Sequence, residues 1–136
     1  NLLEQLTNVD KKKITFEKFK NFIDNLNKNH KIIVIEINNK IVATGTVLLE
    51  NKIIHGLSKV AHIEDIVVDK ETRGMGLGKK LISFLIDIAE KENCYKVILN
   101  CKKENIKFYE KCGLKNYAFE MVKYFSVCSD YSYHNC

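Results

Sequence analysis

Apolar and polar positions along the chain follow two periods. Over residues 14–28, Phe16, Phe19, Phe22, Ile23 and Leu26 recur at helical spacing, and Thr15 stands where a helix N-cap belongs. The pattern then shortens to that of strands. Residues 31–37 (KIIVIEI) predict a strand, Asn38, Asn39 and Lys40 a tight hairpin turn, and residues 41–50 and 52–56 further strands of an antiparallel meander. Residues 60–69 (VAHIEDIVVD) predict a longer strand. Helical spacing returns over residues 79–92, where Leu81, Ile82, Leu85, Ile86, Ile88 and Ala89 form a broad apolar stripe. A strand at 95–101 follows, then a short helix at 104–112 that Gly113 would end in a left-handed cap. Residues 114–125 read as a final strand or strand pair, and residues 126–136 carry no period and read as a tail. Helix, antiparallel strands, then strand–helix–strand–helix–strand predicts a mixed α/β (α+β) sheet with one parallel crossover, in a single domain spanning 1–125.

The stretch RGMGLGKK (residues 73–80) changes this picture from architecture to chemistry. It lies between the apolar run IVV at 66–68 and the helix, so its glycines open a helix N-terminus. Such an end presents free N–H groups and partial positive charge, and glycine lets an anion come close to the backbone. A phosphate cradle is one reading; a flexible glycine turn is the other. The P-loop pattern fails, because Arg73 stands at its first glycine and Lys80 at its Ser/Thr. The dinucleotide fingerprint fails too, since the spacing is GxGxG and no acidic residue closes a second strand about twenty residues on.

Composition narrows the classes. Hydrophobic residues make up 46% and charged residues 29% of 136, ordinary for a globular chain. No apolar stretch approaches the roughly 20 residues that span a bilayer, and no secretory leader is visible. Five cysteines lack metal-binding spacing, so no metal is expected. They read as reduced thiols of an intracellular, cytoplasmic protein, each a small buried hydrophobe first. The net charge of +5 comes from dispersed lysines without interleaved aromatics, which favours an anionic small ligand over nucleic acid.

The glycine stretch fits [RQ]xxGxG through Arg73, Gly76 and Gly78, and residues 105–114 (NIKFYEKCGL) add an Asn, an aromatic–Tyr pair and a helix-ending Gly. Together, in this order, they resemble the two acetyl-CoA motifs of the GNAT N-acetyltransferases. The segments KIIHGLSKVAHIEDIVVDKETRGMGLGKKLI, NCYKVILNC and KFYEKCG more closely resemble one branch, the glucosamine 6-phosphate N-acetyltransferases, from Thr7 to about Lys123.

The resemblance implies a GNAT acyltransferase fold: a mixed, mostly antiparallel sheet with splayed central parallel strands and helices on both faces. The superfamily's first strand has no counterpart here. It implies acetyl-CoA as cosubstrate, glucosamine 6-phosphate as acceptor on the route to UDP-N-acetylglucosamine, and a homodimer that exchanges C-terminal strands. Backbone groups of Ile66, Val67 and Val68 would pair with the pantetheine arm. The amides of Arg73, Gly74, Met75, Gly76, Leu77 and Gly78 would hold the pyrophosphate, with Lys79 either adding charge or lying in solvent. Asn105 would bind the pantetheine or cap its helix. Tyr109 would support the departing thiolate. Glu64 is expected as proton acceptor and Asp65 as a ligand of the amine or a sugar hydroxyl. Successive strand residues face opposite ways, so both reach one amine only through a bulge or a second subunit.

Thr7, Lys52, His55, Tyr95 and Lys96 align with positions around the amino sugar, while His55 and His62 read equally as structural histidines, His62 more so. Two positions depart from the family pattern. Asn100, placed by the resemblance beside the cosubstrate, stands in place of an acid before Cys101: if that acid's side chain orients the amine, charge is lost here, and if only its backbone carbonyl serves, nothing changes. Tyr124 stands in place of the phosphate-binding arginine, leaving Lys123 as the neighbouring cation. The alternatives are the same fold acting on a protein, polyamine or other amine, and a non-catalytic acyl-CoA-binding module.

Overall fold

The computed structural model describes residues 2–7 and 9–125. Helix α1 (Phe16–Asp24) begins where expected, its N-cap Thr15 accepting the Lys18 N–H at 3.3 Å. Its aromatic stripe stays at the surface, Phe16 being 82% exposed. Strands β1 (His30–Ile37) and β2 (Lys40–Asn51) form a hairpin whose turn residues Asn38 and Asn39 are both left-handed, the conformation that matches the twist of the flanking strands. β3 (Lys59–Val68) runs antiparallel to β2, and helix α2 (Leu77–Lys91) crosses back to β4 (Cys94–Ile98), which lies parallel to β3. The sheet order is β1-β2-β3-β4. A short helix α3 (Ile106–Glu110) follows, and Gly113 ends the turn after it with φ 91°.

Two expected elements are absent. Residues 52–56 are not a strand: His55, Gly56 and Leu57 are all left-handed, so the chain reverses tightly and leaves Ile53 and Leu57 in solvent. Residues 114–125 form no strand. Their alternation suits a sheet, but alternation supplies no hydrogen-bonding edge, and Tyr117, Phe119 and Met121 are each more than 90% exposed. Among the described residues β4 is therefore the sheet edge, and the parallel pair is lateral rather than central.

The core lies between α2 and one sheet face. Leu81, Ile82, Leu85 and Ala89 of α2 pack on Ala43, Val47 and Leu49 of β2 and on Ala61 and Ile63 of β3. A strand alternates sides, so Ile63 should be followed on that face by Asp65 and Val67. The structure instead places Ile66 and Val68 against the core. The register explains it: Thr46 pairs with Glu64 and Thr44 with Val67, so Gly45 alone opposes both Asp65 and Ile66. The extra residue is a β-bulge, with Asp65 left-handed at φ 53°. Gly45 is part of the same device. A Cβ there would meet the Ile66 Cδ1, with Leu85 Cδ1 at 3.1 Å and Leu81 Cδ2 at 3.3 Å behind it. The missing side chain is the space that the displaced Ile66 fills.

Gly45→Ala should therefore destabilise the fold by about 1–3 kcal/mol, as overpacking does. Ile66→Val, which removes the offending methyl, should recover part of the loss in the double variant. Urea denaturation of the four proteins checks this; strictly additive effects would show that the two positions do not share that space.

Candidate active site

The bulge decides where the two acids go. It takes Asp65 out of the alternation, and Glu64 and Asp65 are both exposed, neither of them part of the core cluster. A bulge is the irregularity that the two adjacent acids required. Partial desolvation by the surrounding chain, and then the adjacent Asp65, push the exposed Glu64 carboxyl above its ordinary value. Glu120 adds to this, and His62 opposes it. His62 itself is half-buried and satisfied, its Nε2 2.9 Å from the Glu50 Oε2, while Lys52 donates to the other Glu50 oxygen at 2.6 Å. Lys52, expected beside a sugar, is thus engaged by Glu50. Of the remaining residues expected there, the tight turn brings three together: the His55 ring lies 4.3 Å from the Tyr95 ring, and the Lys96 ammonium sits 5.5 Å from that ring's centre. Thr7 is exposed in the N-terminal segment, and Lys123 lies on the strandless segment with its ammonium 5.8 Å from the Phe125 ring.

Beside the acids the sheet opens. β3 and β4 pair only from Lys59↔Cys94 to His62↔Ile98. β3 continues through Ile66, Val67 and Val68 with β2 on one side and, among the described residues, no strand on the other. The result is a V-shaped cleft with unpaired backbone along one wall, the geometry that lets an extended chain add as a strand. At its wide end the Arg73 Nε donates to the Val68 carbonyl at 3.3 Å.

Past Arg73 the glycine loop enters α2. Gly74 (φ 87°) and Gly76 (φ 75°) are left-handed, and a Cβ on either would meet nothing within 4 Å. Backbone bare of side chains thus faces open space, and Met75 between them is 64% exposed. Gly76 is the N-cap of α2 and supplies no side-chain acceptor, while the Lys80 N–H is the one that bonds back to the Gly76 carbonyl. The amides of Leu77, Gly78 and Lys79 precede the first intrahelical bond, and such ends bind anions. The loop fits a diphosphate. Gly78 has a different task from its neighbours: a Cβ there would stand 3.1 Å from the Phe108 Cζ, so its bareness lets α3 pack on the start of α2.

That contact places Tyr109. Half-buried against the core and 5.0 Å edge-on to Phe108, its phenol is pushed above the usual tyrosine value by burial, and further by the nearby Cys101 and Cys112 thiols. It is therefore protonated at neutral pH and can donate. Asn105 occupies the N-cap position of α3 without a side-chain cap bond, leaving its amide available, and Asn100 is exposed just after β4. Asp69, which sequence reasoning passed over, is only 6% exposed. Its signal was an acid directly after an apolar strand and before a turn. No cluster of His, Cys, Asp or Glu among the described residues is arranged to hold a metal.

An acid pair, an open parallel edge, a bare glycine loop at a helix start and a protonated phenol thus follow one another along β3, α2 and α3. The acetyltransferase (GNAT) family model matches residues 2–114, and the chain belongs to that family. Within it, the chain is 47% identical over 112 residues to the glucosamine 6-phosphate N-acetyltransferase of Arabidopsis thaliana, covering 81% of this chain and 72% of that protein. Glucosamine 6-phosphate N-acetyltransferase 1 of Dictyostelium discoideum is 38% identical over 127 residues, covering 90% and 79%. The crystal structure of the Arabidopsis enzyme superposes with a TM-score of 0.87 at 45% identity, over 91% of this chain and 86% of that one.

Proposed function

We propose that this chain transfers the acetyl group of acetyl-CoA to the amine of glucosamine 6-phosphate, releasing CoA and N-acetylglucosamine 6-phosphate for nucleotide-sugar synthesis. The observation that carries the reading is the bulge that turns Glu64 and Asp65 out together beside the open end of the β3–β4 cleft. In this account Glu64 takes the proton of the attacking amine, and Asp65 holds the amine or a sugar hydroxyl. The free edge at Ile66, Val67 and Val68 lays out the pantetheine arm, with Asn105 and the Asn100 carbonyl on its far side. Residues 73–78, with Lys79, grip the diphosphate. The amine attacks the thioester carbonyl directly, and Tyr109 donates a hydrogen bond to the departing sulfur. Holding both reactants in one cleft supplies several kcal/mol by proximity alone. Thr7, Lys52, His55, Tyr95 and Lys96 surround the sugar, and Lys123 meets its phosphate.

The enzyme acts as a homodimer in the cytoplasm. Support for the first comes from the free edge of β4 and the exposed Tyr117, Phe119, Met121 and Phe125, an apolar run that a second copy would cover. Support for the second comes from the free thiols Cys94, Cys101 and Cys112. No described helix is long and apolar enough to cross a membrane. Sedimentation should give twice the chain mass; a monomer at micromolar concentration would remove the exchange.

A thiol-release assay tests the reaction. Glucosamine 6-phosphate should be acetylated and plain glucosamine far more slowly; equal rates would deny phosphate recognition. Tyr109→Phe should lower turnover by about a hundredfold with little change in acetyl-CoA affinity. Because Glu64 acts deprotonated, kcat/KM should fall as pH drops through its raised pKa. Glu64→Gln should lower the rate and flatten that limb, and a limb unchanged in the variant would assign the base elsewhere.

A further inference from the structure

The middle of the glycine loop is bare: among the described residues Gly74 and Gly76 face open space, and Met75 is largely exposed. Its position is therefore set from its two ends. One end is α2, anchored in the core. The other is the turn Lys70–Thr72, and that turn is built on Asp69.

Asp69 uses every polar group it has. Its N–H donates to the Val42 carbonyl at 2.8 Å, carrying the β2 pairing one residue past the strand. Its carbonyl accepts from the Thr72 N–H at 2.9 Å and the Thr72 hydroxyl at 3.0 Å, which closes the turn. Its carboxylate accepts from the Glu71 N–H at 3.1 Å, and the Lys40 ammonium lies 3.0 Å from the second oxygen. Gln5, from the N-terminal turn Leu3–Gln5, spans the same bend: its Nε2 donates to the Asp69 Oδ1 at 3.4 Å, and its Oε1 accepts from the Lys70 N–H at 2.8 Å. A carboxylate this buried is costly to desolvate and is tolerated only when fully partnered. An apolar side chain would fill the same space. It would not fix the angle at which the chain leaves β3, four residues before Arg73.

We propose that Asp69, braced by Lys40 and Gln5, is the positioning residue of the diphosphate loop, setting donor affinity without touching donor or acceptor. This rests on the acetyltransferase reading of the loop. It makes a prediction that a general stabilising role does not: loss of Asp69 should be felt only by donors that carry the diphosphate.

The test compares two thioesters with glucosamine 6-phosphate as acceptor. Acetyl-CoA carries the diphosphate; S-acetylpantetheine ends before it. Asp69→Asn removes the charge and keeps the shape. The loss of charge-assisted bonds should raise KM for acetyl-CoA by about tenfold with kcat nearly unchanged. kcat/KM for S-acetylpantetheine should stay within about twofold. Gln5→Ala, which leaves the carboxylate and Lys40 in place, should give the same selective effect at roughly threefold, and it serves where Asp69→Asn does not fold. Equal losses on both donors, or an unaltered acetyl-CoA KM in both variants, would overturn the proposal. Calorimetric titration of CoA and pantetheine into wild-type and variant protein reads the same selectivity without turnover. A wild-type protein that binds CoA but acetylates no sugar would therefore defeat the reaction assigned above and leave this comparison decisive.

Discussion

One residue too many on β3 organises the molecule. Opposite Gly45 the chain fits both Asp65 and Ile66, and the consequences run in two directions at once. Toward the core, Ile66 and Val68 replace the residues that simple alternation would have buried, and Ile66 closes the space above Gly45. Toward solvent, two adjacent acids are left exposed on the same stretch of strand. A left-handed aspartate costs of order 1–3 kcal/mol, and packing around Ile66 is what holds it. Stability and chemistry thus meet at one register shift. Loosening the core at Gly45 would also move Asp65.

The bulge has a partner in the divergence of β3 from β4. A regular parallel pair would have used up the backbone groups of Ile66, Val67 and Val68. Because pairing ends at His62↔Ile98, those groups line a wall instead, and the strand that leads out of the wall feeds the glycine loop. The crossover helix returns the chain to β4, and α3 comes to rest on the loop's far end through Phe108. Acids, edge, loop and phenol are therefore consecutive stations on one path of chain, each fixed by the element before it.

Much of this was legible in the residues. The helical stripe of α2, the hairpin at Asn38 and Asn39, the cap at Thr15 and the left-handed Gly113 all follow from local rules, and each stands where expected. The motif RGMGLGKK could be placed at a helix start because an apolar strand and an amphipathic helix flank it. Three features lay beyond local rules. The bulge has no signature of its own: HIEDIVV reads as unbroken alternation, and only the conflict of two adjacent acids hinted at it. Residues 114–125 alternate like a strand, yet within the described chain they do not take up the edge that β4 leaves open. Asp69 looked like an ordinary strand terminator, since its partners Lys40 and Gln5 are 29 and 64 residues away and meet it only in three dimensions. Gly78 was grouped with Gly74 and Gly76 by spacing, whereas φ and contact show two glycines for conformation and one for clearance.

That clearance has a further meaning. Phe108 leans on Gly78 at the first turn of α2, and the next residue along its own chain is Tyr109. In the function proposed above, donor grip and leaving-group support therefore share a close contact between the start of α2 and α3. Drift in the start of α2 would carry the phenol with it, so under that proposal selection acting on cosubstrate affinity also acts on turnover. Any route by which this scaffold could have adopted a bulkier acyl donor had to pass through that shared joint.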